Sequence, residues 1–118
     1  MALLAGEDFR QLFRSFGHCA FRLEVRESYY EKEQLDQFVS GGPVDISYMD
    51  TWLSLIVKLR VAGKRIERVR VVSQPHSDYT NYGLWLCRYN LQAGEDIRYL
   101  ERSQAGGLPD HDYWLFDS

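Results

Sequence analysis

Residues 20–26, Ala-Phe-Arg-Leu-Glu-Val-Arg, alternate apolar and charged side chains, and residues 66–72, Ile-Glu-Arg-Val-Arg-Val-Val, do nearly the same. A period of two places Phe21, Leu23 and Val25 on one face of an extended segment and Arg22, Glu24 and Arg26 on the other. Val69 and Val71 stand opposite Arg68 and Arg70 in the same way. Strands of a parallel sheet covered on both faces read as nearly continuous apolar runs. A chain with these strands must therefore leave one sheet face in water or set its charges against something that can receive them.

The segments between the strands are helical. Met49, Trp52, Leu53, Ile56 and Leu59 recur at helical spacing, with Lys58 and Arg60 near the negative C-terminal end and Gly63 as the stop. Ser77 or Asp78 caps a second helix whose buried face reads Tyr82, Trp85, Leu86 and Tyr89 and which ends at Ala93-Gly94. Gly83 weakens its middle by roughly 1 kcal/mol relative to alanine. Residues 29–39 predict a short polar helix before the Ser40-Gly41-Gly42-Pro43 loop, and residues 7–16 predict another, with Phe9, Leu12, Phe13 and Phe16 on one stripe. Residues 97–100 and 113–116 read as strands separated by a glycine-containing loop. Strands alternating with helices imply right-handed crossovers and a mainly parallel sheet with helices packed on it. The expected order is α-β-α-α-β-α-β-β, in one α/β domain over residues 1–118.

A length of 118 residues suits one domain, and 45% hydrophobic with 26% charged residues is ordinary globular composition. A formal charge of −3 gives no general attraction to nucleic acid or to anionic membranes. Residues 1–8 lack the basic start of a signal peptide, and no stretch approaches the roughly 18 apolar residues of a membrane span, so a cytoplasmic location is expected. Cys19 and Cys87 show no CxxC spacing and read as free thiols, a single long-range disulfide being the alternative.

The charged strand face, Arg22, Glu24, Arg26, Arg68 and Arg70 with Arg98 from the third strand, has two readings. It is an arginine-lined groove for a phosphate or carboxylate or a surface for a partner protein, or it is a solvated face laced with pairs worth under about 1 kcal/mol each. The segment 73–78 joins a strand's carboxyl end to a helix N-terminus, where open α/β sheets place ligands, which adds Ser73 and Asp78 to the candidates. It also has the composition of an ordinary capped turn.

No catalytic residue, metal or cofactor is expected. Ser73, His76 and Asp78 are triad types, but neighbours within one turn rarely reach triad geometry. Asp110, His111 and Asp112, with Asp117 nearby, are metal-ligand types, but strand alternation would turn His111 away from its neighbours. His18 or Cys19 could meet Cys87 only if the fold brought them together. Trp52, Trp85 and Tyr89 sit at helical spacing and read as core rather than as stacking platforms. Neither a P-loop nor a GxGxxG element is present.

Together, residues 20–24, 68–73, 77–79, 94–98 and 108–117 resemble an uncharacterised actinobacterial family known by a domain-of-unknown-function label and often encoded beside helix-turn-helix regulators. The resemblance covers nearly the whole chain. It implies a DNA-binding helix-turn-helix regulator as protein partner, and no established activity. Members commonly continue past the Trp-Leu-Phe-Asp segment with further strand and helix.

A weaker resemblance links residues 62–72 and 93–100 to the helix-glycine-strand units of half a phospholipase D-like domain. Where active members of that superfamily carry a histidine, a lysine and an aspartate, Asp110, Asp112 and Asp117 stand. The resemblance then implies a retained fold without nucleophile or phosphate-binding cation.

The expected function is a non-enzymatic regulatory or interaction protein that works with a transcriptional regulator and senses a small anion through Arg22, Arg70 and Arg98. One alternative is a small enzyme using Glu24, Asp78, Glu95 and Asp112 as acid–base groups. The other is direct nucleic-acid binding by Lys58, Arg60, Lys64, Arg65 and Arg68, which the acidic balance disfavours.

Overall fold

A computed structural model describes residues 12, 15–27, 29 and 31–117. Its elements are β1 (Cys19–Glu24), α1 (Lys32–Val39), a 3-10 turn (Ser47–Met49), α2 (Asp50–Val61), β2 (Arg65–Val72), α3 (Asp78–Ala93), β3 (Asp96–Glu101), a second 3-10 turn (Arg102–Gln104) and β4 (Tyr113–Phe116). The four strands form one sheet in the order β3-β2-β1-β4, with β1, β2 and β3 parallel and β4 antiparallel to β1. The expected class, a mainly parallel α/β sheet with helices packed on it, is what the chain forms. Most of the helix expected over 7–16 lies outside the described residues; within them, the Phe16 amide bonds to the Leu12 carbonyl at 3.0 Å.

Local chemistry sets the ends of the elements. The Ser77 hydroxyl accepts the Thr80 amide at 3.1 Å and starts α3. Gly94 ends it in the left-handed region at φ 111°, where a Cβ would also stand 3.2 Å from the Arg60 side chain. β1 stops two residues sooner than its alternation predicts. The Val25 amide is taken by the Asp112 carboxylate at 2.8 Å and the Val25 carbonyl by Arg102 at 2.8 Å, so the strand ladder loses both groups and Arg26 leaves the sheet. At the other end of β4, the Asp117 carboxylate accepts the amides of Gly17, His18 and Cys19 at 2.7, 2.6 and 3.1 Å. Those three donors hold its carboxyl below the usual carboxylate range.

Register assigns the two sheet faces. Arg22 lies beside Arg68 and Trp114, Arg70 beside Glu24 and Tyr99, and Arg68 beside Ile97, so these side chains share one face. Phe21, Leu23, Val69 and Val71 share the other. The helices cover the charged face. Trp52, Leu55 and Leu59 of α2 pack with Ala20, Ile66, Trp114 and Phe116 at its closed end. The apolar face buries Leu23, Val25 and Val71, with Ala105 and Tyr113 packed against them. A third cluster, Met49, Tyr82 and Leu86 with Leu35, Phe38, Leu53, Trp85 and Tyr89, joins the helices to one another.

Candidate functional site

Along β1 and β2 the helix-covered face changes character, from Ala20 and Ile66 to Arg22 and Arg68 and then to Glu24 and Arg70. Two arginines side by side repel unless counter-charges intervene. For Arg68 they do. Its Nε and Nη2 meet Glu95 Oε2 at 2.8 and 2.6 Å, and its Nη1 donates to Glu24 Oε1 at 3.1 Å. Glu95 is buried, and its other oxygen accepts Trp52 Nε1 at 3.0 Å and Asn90 Nδ2 at 2.8 Å. Burial alone would pull the Arg68 pKa down, but the two carboxylates outweigh it and raise it. This end of the face is a closed network.

Arg70 is only 5% exposed, yet its closest carboxylate oxygen, Glu24 Oε2, lies 4.0 Å away. Its hydrogen bond among the described residues is a long one, 3.4 Å to the Glu27 carbonyl. Aromatic faces hold it instead, with Tyr29 at 4.9 Å and Tyr79 at 5.2 Å from the guanidinium carbon. Arg22 lies over Tyr29 at 5.7 Å and Trp114 at 5.4 Å, and its carboxylate contacts, Glu24 at 3.7 Å and Asp112 at 3.8 Å, are beyond hydrogen-bond range. The result is a ladder, Tyr79–Arg70–Tyr29–Arg22–Trp114, in which each cation–π contact contributes about 0.5–2 kcal/mol.

Tyr29 is the central rung, and its hydroxyl donates to Asp112 Oδ2 at 2.6 Å. Burial and that bond push its phenol up to about 12, so it stays neutral. Burial alone would raise the Asp112 carboxyl, but the bonds from Tyr29 and Val25 and the charge of Arg22 hold it below its ordinary value.

A cavity of about 380 Å³ opens between this ladder and the helices. Tyr48, Met49 and Trp52 wall it from the start of α2, and Tyr82, Gly83, Leu86 and Cys87 from α3. Tyr99, Ile97 and Trp114 complete the sheet side. Glu31 also lines it, accepting the Tyr48 hydroxyl at 3.0 Å, and the Tyr48 and Tyr82 hydroxyls lie 2.9 Å apart. Burial raises the Glu31 carboxyl against the opposing effect of the Tyr48 bond.

Of the residues singled out from sequence, Arg22, Glu24, Arg68 and Arg70 converge on the cavity. Arg26 is exposed beyond the end of β1. Arg98 pairs in register with Val69, points away from Arg22 and Arg70, and binds Asp96 at 3.2 Å. Ser73 lies outside the cavity, donating to Glu27 Oε1 at 2.6 Å, while Arg102 binds the same carboxylate at 2.9 Å. These contacts fasten the segment that carries Tyr29. Asp78 is exposed in the first turn of α3.

The remaining constellations dissolve. The Ser73 hydroxyl donates to Glu27 and His76 pairs with Gln74 at 3.0 Å, so neither engages the other. Cys19 donates to Glu67 at 2.8 Å on the sheet face opposite the cavity, whereas Cys87 sits in the cavity wall; both are free thiols. Asp112 and Asp117 flank β4 at opposite ends and spend their oxygens on backbone amides and Tyr29. Among the described residues no three His, Cys, Asp or Glu side chains gather as metal ligands. Arg68 is turned into the cavity and Lys64 lies over the Phe16 ring at 5.0 Å, so the cations around the end of α2 do not form one continuous surface with Arg68.

Tyr29, Glu31, Tyr48, Tyr79, Tyr99 and Trp114 were not anticipated. Strand parity was the available signal for two of them: Tyr99 shares parity with Ile97, and Trp114 with Phe116, on faces that pairing then brings beside Arg70 and Arg22.

A family model described as a domain of unknown function, DUF6879, matches residues 7–118. No curated protein and no solved structure matches the chain.

Proposed function

The chain belongs to this family of unknown function, and we propose that it is a non-enzymatic ligand-binding module whose cavity receives a small anion on Arg22 and Arg70. The observation that carries the reading is Arg70. A buried charge normally recruits a close counter-ion or strong hydrogen bonds, because leaving it unpaired costs several kcal/mol. Arg70 lies against the Tyr29 and Tyr79 rings with its nearest carboxylate at 4.0 Å, and no fully buried side-chain nitrogen or oxygen among the described residues lacks a partner. Its remaining N–H edges therefore open into the cavity that it lines. A ligand carboxylate or phosphate supplies the missing acceptor.

The fate of the carboxylates supports a binding role over an enzymatic one. Glu95 is consumed by Arg68, Trp52 and Asn90, and Asp112 by Val25 and Tyr29, while Asp78 is exposed at the helix start. The resemblance to an actinobacterial family encoded beside helix-turn-helix regulators supports a sensor that passes ligand occupancy to such a DNA-binding partner in the cytoplasm. Among the described residues no helix is long and apolar enough to cross a membrane. A second reading, a small enzyme, draws on one observation: Glu31 faces the cavity with a raised carboxyl pKa and a hydrogen-bonded path through Tyr48 to Tyr82.

Titration calorimetry with inorganic phosphate, acetate and benzoate tests the anion site. Binding of at least one of them, weakened at least about tenfold in both Arg22→Met and Arg70→Met, is the expected result. Binding that both variants retain would contradict it, as would no binding of any of the three.

A further inference from the structure

We infer that the anionic group received by Arg22 and Arg70 is the carboxylate of a zwitterion, an α-amino acid with a neutral apolar side chain, whose ammonium lies against Glu24 Oε2 and Glu31. This rests on the cavity being the anion site proposed above.

Glu24 has a side chain only 6% exposed and two oxygens in unlike surroundings. Its Oε1 accepts Arg68 Nη1 at 3.1 Å. Its Oε2 stands 3.7 Å from Arg22 Nη2 and 4.0 Å from Arg70 Nη1, with no hydrogen bond among the described residues. No fully buried side-chain oxygen among them lacks a partner, so Oε2 opens into the cavity that Glu24 lines. The cavity therefore offers a pair of guanidinium groups and, beside both, an unfilled carboxylate oxygen.

A group that touches both arginines also meets that oxygen. A simple anion would set oxygen against oxygen there and leave Oε2 unfilled. A ligand with an acceptor and a donor side by side fills both, its carboxylate accepting from the arginines and its ammonium donating to Oε2. In an α-amino acid a single carbon separates the two.

The surrounding charges favour a ligand without net negative charge. Arg22, Arg68 and Arg70 stand among the carboxylates of Glu24, Glu31, Glu95 and Asp112, so they leave no positive excess. A zwitterion adds no net charge to this balance, whereas a simple anion adds to the negative side. Glu31 gives the ammonium a second acceptor. It lines the cavity, and the hydrogen bond that its carboxylate accepts among the described residues is the one from Tyr48 at 3.0 Å, which leaves acceptor capacity over. Burial raises the Glu31 carboxyl and the charge of Glu24 adds to the rise, against the Tyr48 bond and the charges of Arg68 and Arg70. A cation received by both carboxylates relieves their repulsion.

The side chain of the ligand follows from the rest of the lining. Trp52 and Leu86 from the helices and Ile97 and Trp114 from the sheet present aromatic and apolar surface. Trp52 Nε1 and Asn90 Nδ2 already donate to Glu95, so an apolar side chain strands neither. A volume of about 380 Å³ is at the small end of ligand pockets and suits a single amino acid.

NMR titrations of the full chain with leucine, isocaproate, leucinamide and glycine take the ligand apart, since isocaproate lacks the ammonium, leucinamide the carboxylate and glycine the side chain. Leucine should bind at least about tenfold more tightly than each of the others. Glu24→Gln should weaken leucine at least about tenfold and leave isocaproate unchanged or tighter. Because Glu24 also holds Arg68, that variant can fail to fold; Glu31→Gln should then weaken leucine at least about threefold, again without loss of isocaproate. Isocaproate binding as tightly as leucine would overturn the zwitterion while leaving the anion site standing. Leucinamide binding as tightly would overturn both, because the carboxylate would contribute nothing at Arg22 and Arg70. Glycine binding as tightly would overturn the apolar side chain. Unchanged leucine affinity in either folded variant would overturn the placement of the ammonium. If none of the four binds while acetate or phosphate does, the ligand class falls and the anion site stands; if no anion binds, both fall.

Discussion

Arg68 and Arg70 leave β2 on the same face, two residues apart, and meet opposite surroundings. Arg68 reaches the buried Glu95 at 2.6 Å and Glu24 at 3.1 Å, and Glu95 is itself satisfied by Trp52 and Asn90. Arg70 is deeper, its side chain 7% exposed against 19% for Arg68, yet it rests against two tyrosine rings with no carboxylate of the described residues closer than 4.0 Å. The chain neutralises the first arginine completely and only positions the second. On the proposed reading, what marks the anion-binding charge is not burial alone but the lack of a close acceptor.

The largest effect belongs to the closed end. Glu95→Ala strands Arg68, Trp52 Nε1 and Asn90 without their acceptor, and the expected loss is about 3–5 kcal/mol of unfolding free energy in urea denaturation. A loss below about 1 kcal/mol would erase the difference between the two arginines. At the open end, Arg70→Met removes a guanidinium that no carboxylate holds closely. Stability should change by no more than about 1 kcal/mol, because apolar replacement of poorly paired buried charge is often neutral. Affinity for the bound anion should nonetheless fall at least about tenfold. Comparable destabilisation by the two substitutions would show that Arg70 is structural after all.

Asp117 supplies a control far from the cavity, a carboxylate whose acceptors are filled by three backbone amides. Those bonds depress its folded pKa, so the stability it contributes is present above the unfolded value of about 3.9 and is lost as pH falls through the folded value. Asp117→Asn should lower the melting temperature most at neutral pH, the gap to the parent chain closing in acid, with anion affinity unchanged. A gap independent of pH would assign the effect to packing rather than to charge. The smallest effect is that of Gly83→Ala, which should stabilise α3 by at most about 1 kcal/mol in the ligand-free chain. Destabilisation would mean that the cavity wall has no room for the added methyl.

Helical spacing made α2 and α3 legible, and the Ser77 cap and Gly94 stop placed the ends of α3 within a residue. Alternation identified the two sheet faces but not which the helices would cover. The usual expectation sends the apolar face inward, whereas the carboxylates of Glu24 and Glu95 let the charged face go inward too. Arg98 shows why parity within one strand is not enough. Its partner in β2 is Val69, and only the register tells that, since a shift of one residue exchanges the faces. Arg26 was lost to a contact 87 residues away, the Asp112 carboxylate on the Val25 amide. Tyr29 and Tyr79 come from a loop and a helix start, where no periodicity announces that both rings will lie against one arginine.

Arginine side-chain NMR gives the most direct test, following the Nε–H signals of Arg22, Arg68 and Arg70 as benzoate is added. The Arg70 and Arg22 signals should move together and saturate, while Arg68, already held by Glu95 and Glu24, should stay in place. Movement of Arg68 alone, or of none of the three, would contradict an anion site built on Arg22 and Arg70.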